Sequence, residues 1–181
     1  METEAEAQNT NQLVRKRILA FLADYLVIVG YALILVLLVW MINGNDVWQK
    51  EYTSPFRGQL IGFFTFTLPV FLYFFMMENS NRRATLGKLL LKIHVDLRHP
   101  HPGRRILIRN LLKFLPWEIS HIGVHQIIFY SRNDLSIPIW IFLLLIIPEV
   151  IVLSYVFSML WYKGRYTLYD IAAGTSIKSG S

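Results

Sequence analysis

Four stretches of the chain are apolar for long enough to cross a bilayer as helices, and the links between them are unequal in charge. The first, residues 16–42, continues a basic start, Arg15-Lys-Arg17, with about 25 mostly apolar residues. That length spans the ~30 Å hydrocarbon core. The second, residues 59–77, contains Pro69, whose missing N–H frees a carbonyl and predicts a kink. The third, residues 111–130, is weaker, because Lys113, Glu118, His121, His125 and Gln126 interrupt it. Pro116 predicts that a new helix opens there. The fourth, residues 138–162, is very apolar and carries Glu149 directly after Pro148.

The links have their own periodicities. Asn43-Gly44-Asn45-Asp46 reads as a turn, and the loop onward to Arg57, with Asp46, Lys50 and Glu51, is neutral. Between Glu78 and Lys113 nine Lys or Arg face two acids, which places this link in the cytoplasm. Within it, Thr85 starts a short helix as its cap, Lys92–Leu97 alternates as a strand, and His99-Pro-His-Pro-Gly turns the chain. From Arg104 onward Ile106, Leu107, Leu111, Leu112 and Leu115 recur at helical spacing. Arg105, Arg109 and Lys113 share another face, the pattern of an amphipathic interfacial helix. That stripe, with Lys88, is expected to contact lipid headgroups. After the basic Lys163-Gly-Arg165, the tail reads as a short helix, a Gly174 stop and an extended end. Thr175–Lys178 is expected to pair with Lys92–Leu97 as a small β-ribbon beneath the bundle.

The expected architecture is an all-α membrane protein. It has four transmembrane helices, an amphipathic interfacial helix and a small cytoplasmic β-ribbon, with both termini inside. Residues 1–14 read as a flexible cytoplasmic tail, 15–178 as one membrane domain with a basic module at 78–110 and 163–178, and 179–181 as an appended scar. The N-terminus shows no signal-peptide pattern.

Composition sharpens the class. Hydrophobic residues make up 54% of the chain, above the usual 45–50% of soluble domains. The absence of cysteine removes disulfides and thiolate chemistry. A net charge of +6 in a membrane protein points to the anionic inner leaflet rather than to nucleic acid. Trp40, Trp48, Trp117, Trp140 and Trp161 are expected as interface anchors.

Two groups of residues carry candidate chemistry. A carboxylate such as Asp24 inside a membrane helix costs roughly 2.5–3.5 kcal/mol, so it turns inward and needs a partner. Arg17, seven residues earlier, shares its face about 10 Å away along the axis. Ala20 between them lets another backbone approach. The expected pairs are Arg109 with Asp24 and Arg17 with Asp170. Their functional reading is an exchanging carboxylate; their structural reading is an ion cluster that fixes helix packing. Thr167-x-x-Asp170 is also spaced as a capping box. In the second group, Glu118, His121 and His125 fall within about 60° on a helix. They fit polar packing, a proton or cation path, or a divalent metal, with Glu149 able to add a carboxylate. All three are expected to point into the bundle. No other cofactor is implied. Gly87-Lys88 lacks the upstream glycines of a phosphate loop, and no Ser/His/Asp triad or Gly-x-Ser-x-Gly is present, so an enzyme is not expected.

Together these residues resemble the RDD family of prokaryotic membrane proteins, named for one Arg and two Asp. Arg17 and Asp24 match the first two positions. Asp170, followed by Gly174-Thr175, matches the second Asp. Thr85-Leu-Gly-Lys88, Val95-Asp96 and Arg109-Asn110 match further blocks, so the resemblance spans roughly residues 13–178. The Glu/His-rich third segment departs from it. The resemblance implies transport, with cation/proton exchange suggested for some members. A small transporter working through the buried Arg/Asp cluster is therefore expected, built as a homo-oligomer because four helices enclose little volume. The alternative is a non-transporting adaptor or regulatory subunit that docks partners or anionic lipid through its basic cytoplasmic face.

Overall fold

A computed structural model describes residues 4–44, 54–97 and 101–180. Asn45, Asp46, Trp48, Lys50, Glu51, His99 and Pro100 lie outside the described residues. The first element, α1, runs over Glu4–Asn43. It therefore takes in much of the stretch read as a flexible tail. Next come α2 (Pro55–Gly62), one π-helical stretch (Phe63–Thr67) and α3 (Leu68–Asn79), which form one continuous rod. A short α4 (Leu86–Leu90) leads into β1 (Ile93–Leu97). Two long helices follow, α5 (Pro102–Arg132) and α6 (Ile139–Trp161). The chain ends in α7 (Leu168–Ala173) and β2 (Thr175–Ser179).

Among the described residues three helices are long and apolar enough to cross a membrane: Gln12–Ile42, Pro55–Asn79 and Ile139–Trp161. The 31-residue α5 has the length, at about 46 Å, but carries too many charges to be recognised by hydropathy. It packs mainly on α6, and also on α2, α3 and α7, while α1 packs on α4.

Pro116 acts differently from expectation. It opens no new helix: α5 runs straight through it, so no separate interfacial helix exists. A proline leaves the carbonyl four residues earlier without its N–H. The Tyr155 hydroxyl of α6 donates to that carbonyl, Leu112 O, at 3.0 Å. The same substitution occurs at Pro69. The orphaned Thr65 carbonyl accepts from the Tyr31 hydroxyl at 2.6 Å, and the strain of the rod is taken up as the π turn just before the proline. In each case a tyrosine on a neighbouring helix supplies the missing donor, and the break becomes an interhelical contact.

The β-ribbon forms as expected. β1 and β2 pair antiparallel, with Val95 opposite Ile177 and His94 opposite Lys178. Alternation puts Ile93, Val95 and Ile177 on one face, where they close a core with Ala20 of α1 and Ile106 of α5. The other face carries an exposed Asp96–Lys178 pair at 2.9 Å. Gly174, in the left-handed region at φ 66°, stops α7 and turns the chain into β2. Because strands before α5 and after α6 share one ribbon, the ends of α1, α3, α5 and α6 next to it lie at one end of the bundle.

Candidate functional site

At that end the chain buries a network of charges. Arg17 of α1 donates to the Gly164 carbonyl at 2.9 Å, to Asp170 Oδ2 at 3.0 Å and to the Tyr169 hydroxyl at 3.4 Å. Asp170 is held from its own helix as well. Thr167 and Asp170 form both halves of a capping box at the start of α7, and the Thr175 hydroxyl donates to Asp170 Oδ1 at 3.1 Å. Arg109 of α5 bridges two acids: it pairs with Asp170 Oδ1 and donates through Nε to Glu78 Oε2 at 3.0 Å. Glu78, the last acid of α3, also takes Lys88 Nζ and the Asn110 amide. Arg109, Glu78 and Asp170 are essentially inaccessible, at 1%, 0% and 0% exposure. Six elements, α1, α3, α4, α5, α7 and β2, are thus fastened through two carboxylates.

The Arg17–Asp170 pair meets the expectation from sequence; Arg109–Asp24 does not. Among the described residues Asp24 makes hydrogen bonds and no ion pair. It accepts from Thr85 Oγ1 at 2.6 Å, Gly87 N–H at 2.9 Å and the Tyr73 hydroxyl at 3.0 Å. Thr85 stands at the N-cap of α4 but does not cap it with its side chain. Asp24 reaches across from α1 to bond the free Gly87 N–H instead, so the capping acid comes from another helix. Ala20 is the close-approach point read from the sequence, and Gly87 is the backbone that arrives there.

The basic stripe is also turned the other way. Arg105 donates to the Ala173 carbonyl at the end of α7. Lys113 lies 3.5 Å over the Phe74 ring, and Lys88 is inside the network. The charged face of α5 is turned to the protein, and the exposed positions are Leu107, Leu111 and Leu115. The sequence signal was a correct amphipathicity with its sign inverted.

Glu78, Tyr73, Gln59 and Tyr169 were not singled out by sequence, and Asn110 stood out only beside Arg109 in the resemblance. Glu78 ends an apolar run as a lone acid, which is the signal that marked Asp24.

The network holds more positive than negative charge, and two groups at its ends respond. Burial pulls the Lys88 ammonium down, despite Glu78. Burial pushes the Tyr169 phenol up, but Arg17, Arg109 and Lys113 outweigh it and bring it to about 7. An acid with a depressed folded-state pKa adds stability that is fully present above its unfolded value and lost as pH falls through its folded value. The thermal midpoint of the wild type is therefore expected to gain on that of Tyr169→Phe as pH rises from neutral towards 9 or so. The gap is expected to close below about 7. A midpoint difference independent of pH would remove the ionised phenol from the account.

A second polar group sits apart from the network, between α2 and α5. Gln59 Nε2 donates to Glu118 Oε1. His121 and His125 face each other, Nε2 to Nε2, at 3.2 Å. Both imidazoles lie against Gly62, where an added Cβ would come within 2.5 Å of His121 Cε1 and 3.6 Å of His125 Nε2. The triad thus faces α2, inside the bundle, as expected. Three of the four buried side-chain polar atoms without a partner among the described residues belong here: Gln59 Oε1, Glu118 Oε2 and His121 Nδ1. The π turn begins at the next residue, Phe63; such turns recur at functional sites. Among the described residues no three His, Cys, Asp or Glu side chains converge at metal-binding geometry.

A sequence profile of the RDD family matches residues 12–174. The chain belongs to the RDD family. This family is prokaryotic and membrane-associated, in keeping with the three apolar helices. Comparison with curated proteins and with solved structures gave no match. In this RDD protein the name-giving Arg17 and Asp170 lie in one ion pair, while the other acid, Asp24, ties α1 to α4. Glu149 of α6 joins neither polar group and is exposed.

Proposed function

We propose that this RDD protein is a four-crossing transporter of the cytoplasmic membrane that exchanges a cation for protons. The exchange site is the Gln59–Glu118–His121–His125 group, and the Arg/Asp network is its fixed end-plate. The ribbon supports the reading of four crossings. β1 precedes α5 and β2 follows α6, yet they are paired strand to strand, so if α6 crosses the bilayer, α5 must cross back. The excess of Lys and Arg in residues 78–113 supports a cytoplasmic ribbon end, with both termini on that side.

One observation carries the choice of site. Glu118 Oε2, Gln59 Oε1 and His121 Nδ1 are buried without a partner among the described residues, and a buried polar atom left unpaired costs about 1–3 kcal/mol. A proton or a hydrated cation offers them what the protein does not. A group that binds and releases an ion needs this unfilled capacity. The carboxylates of the network lack it, since Asp24, Glu78 and Asp170 are each saturated by donors from several elements; the network's one unpaired atom among the described residues is a neutral amide oxygen, Asn110 Oδ1. That saturation is also the observation favouring the adaptor reading, in which the bundle only presents its basic end to a partner.

Proteoliposomes with an internal pH dye and a panel of monovalent and divalent cations separate these readings. Wild-type vesicles are expected to show cation-dependent proton flux, which Glu118→Gln abolishes. Asp24→Asn is expected to keep the flux while losing about 1–3 kcal/mol of stability, because an amide cannot accept all three donors. No flux with any cation hands the function to the adaptor reading. Flux that survives Glu118→Gln but not Asp24→Asn moves the site back to the network.

A further inference from the structure

Glu149 is a carboxyl near the middle of the strongly apolar α6, and it points out of the bundle. Among the described residues none hydrogen-bonds or ion-pairs with it. A carboxyl at that depth against lipid chains alone has no group to bond. Its neighbours on the helix surface form a pattern. Phe142, Ile146, Glu149, Leu153, Val156 and Leu160 recur at alternating spacings of four and three, and the five apolar members are 43–66% exposed. This is the a/d seam of a helix pair, with one polar residue at its centre, the device that sets register and oligomer state in such pairs. The opposite side of α6 is already used: Pro148 and Ile141 are buried, and Leu144 and Leu145 pack over Gly123 of α5.

We propose that two copies of this chain pair through the outward seam of α6, with the two Glu149 carboxyls neutral and hydrogen-bonded to each other across the two-fold axis. The chemistry selects a second copy as the occupant. Two copies inserted alike in one membrane bring the same depth of the same helix together, and a carboxylic acid is self-complementary, each donating its O–H to the other's carbonyl oxygen. A two-fold seam places residue 149 against residue 149 without needing any other partner at that depth. The inference rests on α6 lying in the membrane and not on the transport reading.

The chain has no cysteine, so single-cysteine variants report the seam directly. In liposomes, Ile146→Cys and Leu153→Cys are expected to form interchain disulfides under mild oxidation. Ile147→Cys, exposed on α6 but turned away from the seam, and Leu37→Cys on α1 are expected to stay uncross-linked. Adding Glu149→Leu to Leu153→Cys is expected to lower the cross-linked fraction about tenfold, and Glu149→Gln, which can still donate and accept, to keep it. Equal cross-linking on and off the seam overturns the pairing and leaves the face to lipid. Seam cross-linking unchanged by Glu149→Leu overturns the role of the carboxyl. The seam scan itself leaves Glu149 in place, so it decides the pairing even if Glu149→Leu folds poorly. Because no flux is measured, failure here and failure of the transport site are read separately.

Discussion

Replacing Arg109 with methionine is expected to leave little folded protein. The guanidinium bonds Glu78 through Nε and Asp170 through Nη1, and its nearest further acceptor is the Thr175 hydroxyl at 3.4 Å. All three partners are buried, so no water replaces the lost donors. Glu78 keeps Lys88 and Asn110, and Asp170 keeps Arg17 and its capping threonine, but each loses its share of the bridging cation. Breaking a buried pair by removing one partner costs about 3–5 kcal/mol, against a total stability of about 5–15 kcal/mol. Thermal melts in detergent and yield from membranes measure it. Arg109→Lys keeps the charge but not the two-directional fork, and is expected to fall between wild type and methionine. A methionine variant that melts within about 1 kcal/mol of the wild type would mean the cluster is held by its other members.

The next largest effect is expected from Gly87→Ala. An added Cβ would overlap the Ala20 carbonyl oxygen, well inside van der Waals contact distance, and would lie 3.0 Å from both Ala20 C and Asp24 Cγ. The first two are backbone atoms of α1 and cannot swing aside as a side chain would. Relief requires α4 to back away from α1, which also pulls the Gly87 N–H off Asp24. Overpacking of this kind costs about 1–3 kcal/mol, and the lost hydrogen bond to a carboxylate adds about 1.5–3 kcal/mol. Ala20→Gly in the same chain opens no room at the carbonyl itself and is not expected to rescue the variant. Limited proteolysis of the 78–92 segment, read beside the thermal midpoint, reports whether α4 has left α1. A variant as resistant as the wild type would show that the crossing tolerates a methyl group.

The two changes test different contacts of the same end-plate, and their consequences for the exchange site should differ from those of Glu118→Gln. Loss of Arg109 or of the Gly87 crossing removes the fold on which any site depends. Glu118→Gln changes a group outside the charge network and is expected to leave the thermal midpoint close to that of the wild type.

Much of this arrangement was legible in the residues. Apolar run length located three long helices, because a hydrocarbon solvent imposes a minimum length that folding cannot evade. Alternation in Lys92–Leu97, and Gly174 before Thr175, located the two strands, since period and left-handed backbone are local properties. Seven-residue spacing put Arg17, Ala20 and Asp24 on one face, and Ala20 marked where a backbone would arrive. Thr167-x-x-Asp170 declared its capping box in the same local way.

What remained hidden was whom each charge meets and which way each face turns. Asp24 lies with Thr85, Gly87 and Tyr73 rather than Arg109, because α4 folds back on α1 and its free N–H groups arrive first. Arg109 is drawn to Glu78 and Asp170, which the α3 terminus and the α7 cap bring to α5 from 31 and 61 residues away in sequence. Pro116 breaks no helix, because Tyr155 on another helix supplies the missing donor. The stripe Arg105–Arg109–Lys113 has the same periodicity whether it faces headgroups or protein, and only the packing of α5 under α7 and against α3 decides. Periodicity depends on an element's own residues and can be read along the chain. Pairing and the sign of a face depend on which other element is nearest, and that is set when the elements pack.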